Sequence, residues 1–398
     1  MHEHTRIHAL DNLRAVMMWL GIVLHVAIMY TTAPTAFPFH DRHASAAADL
    51  LLLFIHSFRM PVFFILAGFF AALMSARDGP GAMFRNRLRR IGLPFAIFWP
   101  LLFAATIVAS MLFVHVMARG TLGLDPGLMQ RPPGGAPMVS TIHLWFLYYL
   151  LIFCAIAAAI VPRAGKHAAR LHAVAARVGR AWWAPLVLAL PAMLIGFSHP
   201  VGIAPNRTSF LPYPDELIYN GLFFAFGWQL YHHRDALLAH YASRWRRYAG
   251  AGALLFILYL GTLAYFKKLG LPMPPGASLW TALAYGCVNW LFSFALLGMF
   301  ARHLHRPGAL LGYLARSSYC VYLLHFPLTM VIGALLYRWD AGAPLKMLAN
   351  VAATTALCLL AYYFLVRPTW IGRLLNGTAR RGAVSASGAL LDNKPVLH

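Results

Sequence analysis

Charged residues are scarce in this sequence, and acidic residues are scarcer still. Charged residues make up 11% of the 398 residues, with 11 aspartates and glutamates against 33 lysines and arginines. Soluble domains carry about 25% charged residues, whereas here apolar runs of about 20 residues recur along the chain. This composition excludes a soluble globular domain. It predicts an all-α polytopic helical bundle in a lipid bilayer, where each helix must satisfy its own backbone amides.

Cysteine is also rare, and its spacing does not suggest a metal site. The four cysteines all lie inside apolar runs, which predicts buried thiols and no disulfides. The paired histidines of the basic segments have no third ligand nearby in sequence, so we expect no bound metal. No small-residue cleavage site follows the first apolar run, which we therefore interpret as a retained helix.

The apolar runs predict ten transmembrane helices. The fifth is the weakest, because it is short and contains two prolines. The predicted spans cover approximately residues 12–32, 47–75, 91–117, 143–161, 182–197, 214–231, 249–266, 279–300, 317–337 and 344–366.

The net charge of +22 resides in short connections between these runs, so it is a topology signal and does not indicate nucleic-acid binding. The N-terminus and every second connection hold 24 lysines and arginines, and the opposite connections hold eight. This bias predicts that both termini are cytoplasmic. Residues 1–373 form one predicted membrane domain, and the Gly-, Ala- and Ser-rich segment 374–398 is a predicted disordered cytoplasmic tail.

The first helix carries ionisable residues on one face. Arg14 and His25 are eleven residues apart. In a helix this spacing places both side chains on nearly the same face, about 16 Å apart along the axis. Asp11 lies one turn before Arg14 and can pair with it. Arg14 is either an interfacial anchor or a functional cation. His25 is either a satisfied core histidine or part of a site, and an ionisable group at this depth favours a site.

The second span places two more ionisable residues at the depth of His25. His56 and Arg59 are one turn apart, which predicts a polar cavity between the first two spans. Histidine is the natural general base near neutral pH. We therefore expect His25 to act as the base, Arg59 to stabilise a developing oxyanion, and His56 to contact substrate.

Polar residues at the predicted outer ends of two spans are candidates for ligand binding. His143 and Trp145 begin the fourth span, where they either meet a ligand or form part of the interfacial aromatic belt. Asp215 and Glu216 begin the sixth span. They either bind ligand hydroxyls or cap a helix, and the sequence favours capping.

Several stretches resemble membrane-bound acyltransferase family three. They are an Arg and a His separated by ten residues in `LDNLRAVMMWLGIVLH`, the arginine cluster of `FRNRLRRIGLP`, and the segments `IHSFRMPVFF`, `HLWFL` and `YCVYLLHFPLT`. Together they resemble most closely the branch that succinylates periplasmic glucans. The resemblance spans nearly all ten predicted helices.

The resemblance implies acyl transfer in the bacterial inner membrane, from cytoplasmic acyl-coenzyme A to a carbohydrate hydroxyl on the periplasmic side. It implies that Arg14 and His25 are essential, that Arg87 and Arg90 bind the donor, and that His325 belongs to the site. Arginine binds phosphate through paired hydrogen bonds, although the same cluster also serves as a positive-inside signal. The resemblance further implies that the donor is succinyl- or acetyl-coenzyme A and that the acceptor, which His143, Trp145, Asp215 and Glu216 could contact, is a glucan or another envelope polysaccharide.

A transporter of a carbohydrate or of an acyl-bearing solute is the main alternative function. Transporters also use intramembrane histidine and arginine, but they often show paired broken helices in corresponding halves. The sequence has no such symmetry, which favours the enzyme.

Overall fold

The computed structural model describes residues 3–33, 35, 37–129, 139–203, 207–306 and 308–376. These residues form helices joined by loops, and none of them is in a β-strand. The helices are α1 (Glu3–Ala27), α2 (Ala46–Asp78), α3 (Pro80–Arg87), α4 (Leu93–Arg119), α5 (Trp145–Ile160), α6 (Gly165–Arg180), α7 (Ala184–Gly196), α8 (Pro214–His232), α9 (Arg234–Leu269), α10 (Pro275–His303), α11 (Ala309–Leu336), α12 (Ala343–Ala361) and α13 (Trp370–Asn376).

Eight of the described helical segments are long and apolar enough to cross a membrane. They correspond to eight of the ten predicted spans. The predicted fifth span is α7, which meets α6 at an angle of 105° and adds a ninth span only if this bent pair crosses as a unit. The predicted sixth span is α8, whose first turn carries two carboxylates. The helical class is confirmed, while the count of ten and the cytoplasmic location of the termini stay predictions.

The four most buried spans are α1, α2, α10 and α11. α1 packs against the other three and against α12, and α2 also packs along α8. The close contact between α2 and α8 depends on Gly68 and Gly227, because a Cβ at either position would overlap backbone atoms of the other helix. Small residues permit such approaches between membrane helices. In the apolar stretch of α10, 78% of the residues are buried inside the protein, whereas in that of α9, which lies at the periphery, 17% are buried.

One cation that the sequence predicts in an outer loop is buried in the structure. Lys346, assigned from sequence to an outer connection, lies in the first turns of α12 with a fully buried side chain. Its Nζ donates to both carboxylate oxygens of Asp41, at 3.0 and 2.9 Å, and to the carbonyl of Tyr337 at 3.1 Å. A buried ammonium requires this compensation, so the pair fastens the loop after α1 to α12.

The cysteine prediction is confirmed, since all four cysteines are free and buried. The predicted tail lies outside the described residues, apart from residues 374–376, which end α13.

Candidate active site

Three histidines from separate parts of the sequence meet in the bundle. His25 lies in the last turn of α1, His143 in the 3₁₀ turn before α5, and His325 in α11. The ring centroid of His325 is 5.1 Å from that of His25 and 5.4 Å from that of His143. His143 and His325 are buried, whereas His25 is half-buried. The structure therefore brings the proposed base together with two residues whose roles the sequence left open.

Backbone carbonyls determine the tautomers of two of these rings. Nδ1 of His325 lies 3.0 Å from the Val321 carbonyl and 2.9 Å from the Tyr322 carbonyl, and Nε2 of His143 lies 3.1 Å from the Leu323 carbonyl. A carbonyl oxygen only accepts hydrogen bonds, so these nitrogens carry the hydrogen. The second nitrogen of each neutral ring is then an acceptor.

Three ring nitrogens in this histidine cluster are buried and have no hydrogen-bond partner among the described residues. They are Nδ1 of His25, Nδ1 of His143 and Nε2 of His325. Buried polar groups are nearly always paired in folded proteins. The cluster is therefore equipped to bind a polar group that the chain itself does not supply.

Arg59 lies between the histidine cluster and the Arg14 end of α1. It is 6% exposed, and its Nε donates to the carbonyl of Met17 at 3.3 Å. The guanidinium rests against Gly21, where a Cβ would lie 2.5 Å from Nη2 of Arg59. Gly21 lies one turn before His25 on the same face of α1. Because Gly21 has no side chain, there is room beside it for Arg59, the cation that the sequence predicts at this depth.

His56 occupies the same part of α2 but has a partner on α10. Its Nδ1 is 2.8 Å from the hydroxyl of Tyr285, while it remains within electrostatic range of Arg59. Tyr322 is a site residue that the sequence reasoning missed. Its hydroxyl donates to the carbonyl of His143 at 2.7 Å, which ties α11 to the turn before α5. The one available signal was its position one turn before His325.

A second group of cations lies at the Arg14 end of α1. Arg14 forms the expected salt bridge with Asp11 at 3.0 Å. Arg87, at the end of α3, lies within electrostatic range of both Arg14 and Arg90. Among the described residues, the buried Nε atoms of Arg14 and Arg87 lack hydrogen-bond partners. Donors of this kind suit an anionic ligand with several acceptor oxygens, such as the phosphates of coenzyme A.

Between Arg87 and α4 the chain forms one turn of π-helix, Leu88–Gly92, which includes Arg90. π-Turns inside α-helices occur frequently at functional sites.

The proposed acceptor residues of α8 are engaged within the protein. Glu216 is 1% exposed, and its oxygens accept from Tyr149 Oη at 2.8 Å and from the backbone N–H of Arg207 at 2.6 Å. Asp215 accepts twice from Nη1 of Arg207, which raises the pKa of that guanidinium. The N-cap residue of α8 is Tyr213, without a side-chain hydrogen bond, but Oδ1 of Asp215 accepts from the backbone N–H of Glu216 at 3.0 Å. Asp215 therefore satisfies one amide of the first turn, whereas Glu216 does not cap the helix. Both carboxylates also fasten the loop before α8.

Trp145 lies apart from the histidine cluster. Its ring is half-buried and packs against Phe64 and Tyr149, at centroid distances of 6.3 and 6.0 Å. His143 and Trp145 therefore separate, the first into the site and the second into the packing between α2 and α5.

No group of three or more histidine, cysteine or carboxylate side chains in the described chain has the geometry to hold a metal ion. The histidine cluster thus offers hydrogen bonding and proton transfer.

Comparison with known proteins shows the family that this chain matches and its relatives. Residues 7–363 match the model of a family described as an acyltransferase domain, which confirms the resemblance found in the sequence. Glucans biosynthesis protein C from Escherichia coli strains E24377A, SMS-3-5 and K12 is 25% identical over 393 residues, covering 94% of this chain and 94% of each relative. No solved structure matches the chain with statistical significance.

Proposed function

We propose that this chain, which belongs to the acyltransferase domain family, transfers a succinyl or acetyl group from cytoplasmic acyl-coenzyme A to a periplasmic carbohydrate hydroxyl. The acceptor is a glucan or another envelope polysaccharide, and the protein resides in the bacterial inner membrane. The name of the relatives, which refers to glucan biosynthesis, and the apolar helices support this proposal.

The histidine cluster carries the proposal. Among the described residues, three buried ring nitrogens of the cluster lack partners, and the guanidinium of Arg59 lies against Gly21, one helical turn before His25 on α1. Acyl transfer from a thioester needs a base for the hydroxyl proton and a positive group for the oxyanion of the tetrahedral intermediate. The cluster supplies both kinds of group.

The reaction requires one proton transfer in each direction. A lone pair of His25 takes the hydroxyl proton while the sugar oxygen attacks the thioester carbonyl carbon, forming the new C–O bond. Arg59, which remains charged, stabilises the oxyanion. Collapse of the intermediate breaks the C–S bond, and the imidazolium of His25 returns the proton to the leaving thiolate.

His143 and His325 position the base in this mechanism. His325 contacts His25 and presents an acceptor nitrogen, Nε2, and His143 packs against His325. When the hydroxyl binds, Nε2 of His325 accepts the N–H of His25, which orients the other nitrogen of His25 toward the hydroxyl. In a set of nucleophile, base and orienting residue, the histidine that accepts the N–H of His25 is the orienting residue.

The donor binds from the opposite end of α1. Arg14, Arg87 and Arg90 hold its phosphates through charge-assisted hydrogen bonds, and the flexible arm extends past Arg59 to the cluster. Arg14 and His25 are about 16 Å apart along the helix, a span that a long arm can bridge and a direct contact cannot.

The decisive experiment uses vesicles that contain the purified protein, with radiolabelled acyl-coenzyme A outside and glucan inside. We expect label on the sugar with wild type and none with His25→Ala. Transport of unmodified solute without labelled sugar would contradict the proposal and support a transporter.

A further inference from the structure

One large cavity in the described structure is separate from the histidine cluster. It measures about 580 Å³, within the range of ligand pockets, about 300–1,000 Å³. Its walls come from α2, α3, α5, α6 and α8, together with the turn between α5 and α6, and no residue of α1 or α11 contributes. The acyl-transfer mechanism therefore leaves this cavity without a role.

The walls of the cavity are apolar, and it opens toward the lipid. Ile156, Ile160, Leu171 and Ile218 line it and are between 44% and 58% exposed. Two of them belong to a membrane-spanning segment, Ile142–Arg163. In a bilayer, an apolar opening at this depth is exposed to hydrocarbon chains, not to water.

Part of the cavity lining is polar. His172, Gln229 and His232 line it together with the apolar residues. Nδ1 of His172 pairs with Oε1 of Gln229, and the rings of His172 and His232 stack with centroids 3.8 Å apart. The lining thus combines an apolar surface with hydrogen-bonding side chains, as the acyl chain and headgroup of a lipid require.

α6 carries His172, one of the polar lining residues, and has the properties of an interfacial helix. It is strongly amphipathic, with exposed Arg170 and Arg177 on one side and exposed Leu171 and Val174 adjacent. It turns by 105° into α7, and the side chain of Trp182 at the turn is 89% exposed. Basic amphipathic helices with aromatic residues lie in the plane of the membrane interface.

The charge around the cavity has one sign. Residues 162–180 contain five lysines and arginines and no acidic residue, and none of the cavity-lining residues is acidic. The nearest acidic side chain along α2, Asp78, already pairs with Arg77 at 2.7 Å. Basic segments beside a bilayer attract anionic headgroups by about 1 kcal/mol per residue.

We propose that this cavity binds one anionic phospholipid, with an acyl chain along its apolar walls and its phosphate group against the basic segment formed by residues 163–180. The occupant is a lipid, because the apolar walls continue into the hydrocarbon region. It is anionic, because the adjacent segment 162–180 carries five basic and no acidic residues. The site is distinct from the histidine cluster, since the two share no residue.

The test measures phospholipid retained by the purified full-length protein. The protein is delipidated, exposed to equimolar phosphatidylglycerol and phosphatidylcholine, and examined by native mass spectrometry. We expect wild type to retain one phosphatidylglycerol. Ala225→Trp, which fills the cavity from an exposed wall position, should lose it. Ala251→Trp, at an exposed position of α9 outside the cavity, should not.

The headgroup contacts are tested by a second pair of variants. Arg163→Gln with Arg170→Gln removes two exposed charges and should weaken phosphatidylglycerol retention about 30-fold. Arg246→Gln with Arg247→Gln removes two exposed charges from α9 and should leave it unchanged. Equal retention of both lipids by wild type would overturn the proposal, as would retention that is insensitive to both Ala225→Trp and the Arg163/Arg170 pair.

Discussion

Gly21 and Arg59 fit together, so that the guanidinium occupies the space that a side chain at position 21 would fill. This contact sets the position of a cation one helical turn from His25. A Cβ at position 21 would displace the end of a flexible side chain and no backbone atoms. A substitution there should therefore change the position of Arg59 without preventing folding.

Gly21→Ala should therefore reduce acyl transfer while the protein still folds. The new Cβ would lie 2.5 Å from Nη2 of Arg59, so the guanidinium must move and its stabilisation of the oxyanion weakens, at a cost of about 10- to 100-fold in kcat. Gly250→Ala is the matched control, because a Cβ there has no neighbour within 4 Å. Equal activity of the two variants would remove Arg59 from the mechanism.

His25→Ala should lower kcat by about 100- to 10,000-fold, the usual contribution of a positioned general base. Steady-state transfer by protein that elutes as a folded species provides the measurement. Activity within a few-fold of wild type would eliminate His25 as the base.

His325 should respond differently to two substitutions. His325→Gln keeps an acceptor near the position of Nε2, whereas His325→Leu removes it, so we expect kcat to fall further in the leucine variant. KM for acyl-coenzyme A should stay constant in both, because this residue lies far from the arginine group. A purely structural role predicts that the two variants lose thermal stability and activity in parallel.

Arg87→Gln and Arg90→Gln should each raise KM for acyl-coenzyme A about tenfold or more, since a charge-assisted hydrogen bond contributes about 1.5–3 kcal/mol. Arg85→Gln removes an exposed cation from the same short helix and serves as the control for net charge. If all three variants raise KM equally, the effect is general electrostatic attraction and not a phosphate site.

Lys346→Met should destabilise the protein by about 3–5 kcal/mol, because it leaves the carboxylate of Asp41 buried without its partner. Adding Asp41→Asn should recover part of that loss. Arg42→Gln breaks the exposed contacts of Arg42 with Asp340 and with the carbonyl of Arg338 and should cost at most about 1 kcal/mol. Thermal unfolding in detergent distinguishes these outcomes, and equal losses for Lys346→Met and Arg42→Gln would contradict the burial argument.

The sequence alone determined the helical class, because scarce charge and long apolar runs leave the backbone no other way to pair its amides in lipid. It also identified Arg14 and His25 as residues of one face, since helical periodicity is local. The Arg14–Asp11 salt bridge followed from the same periodicity.

Only the tertiary structure decided which distant residues meet. His325 meets both His25 and His143 through the packing of separate parts of the chain, and nothing in the local pattern determines such contacts. The same holds for Glu216, which accepts a hydrogen bond from Tyr149 and does not cap its own helix. It holds also for Lys346, which the sequence assigns to an outer connection and which the structure pairs with buried Asp41. Periodicity fixes the direction of a side chain within its own helix, but its partners depend on how the helices pack.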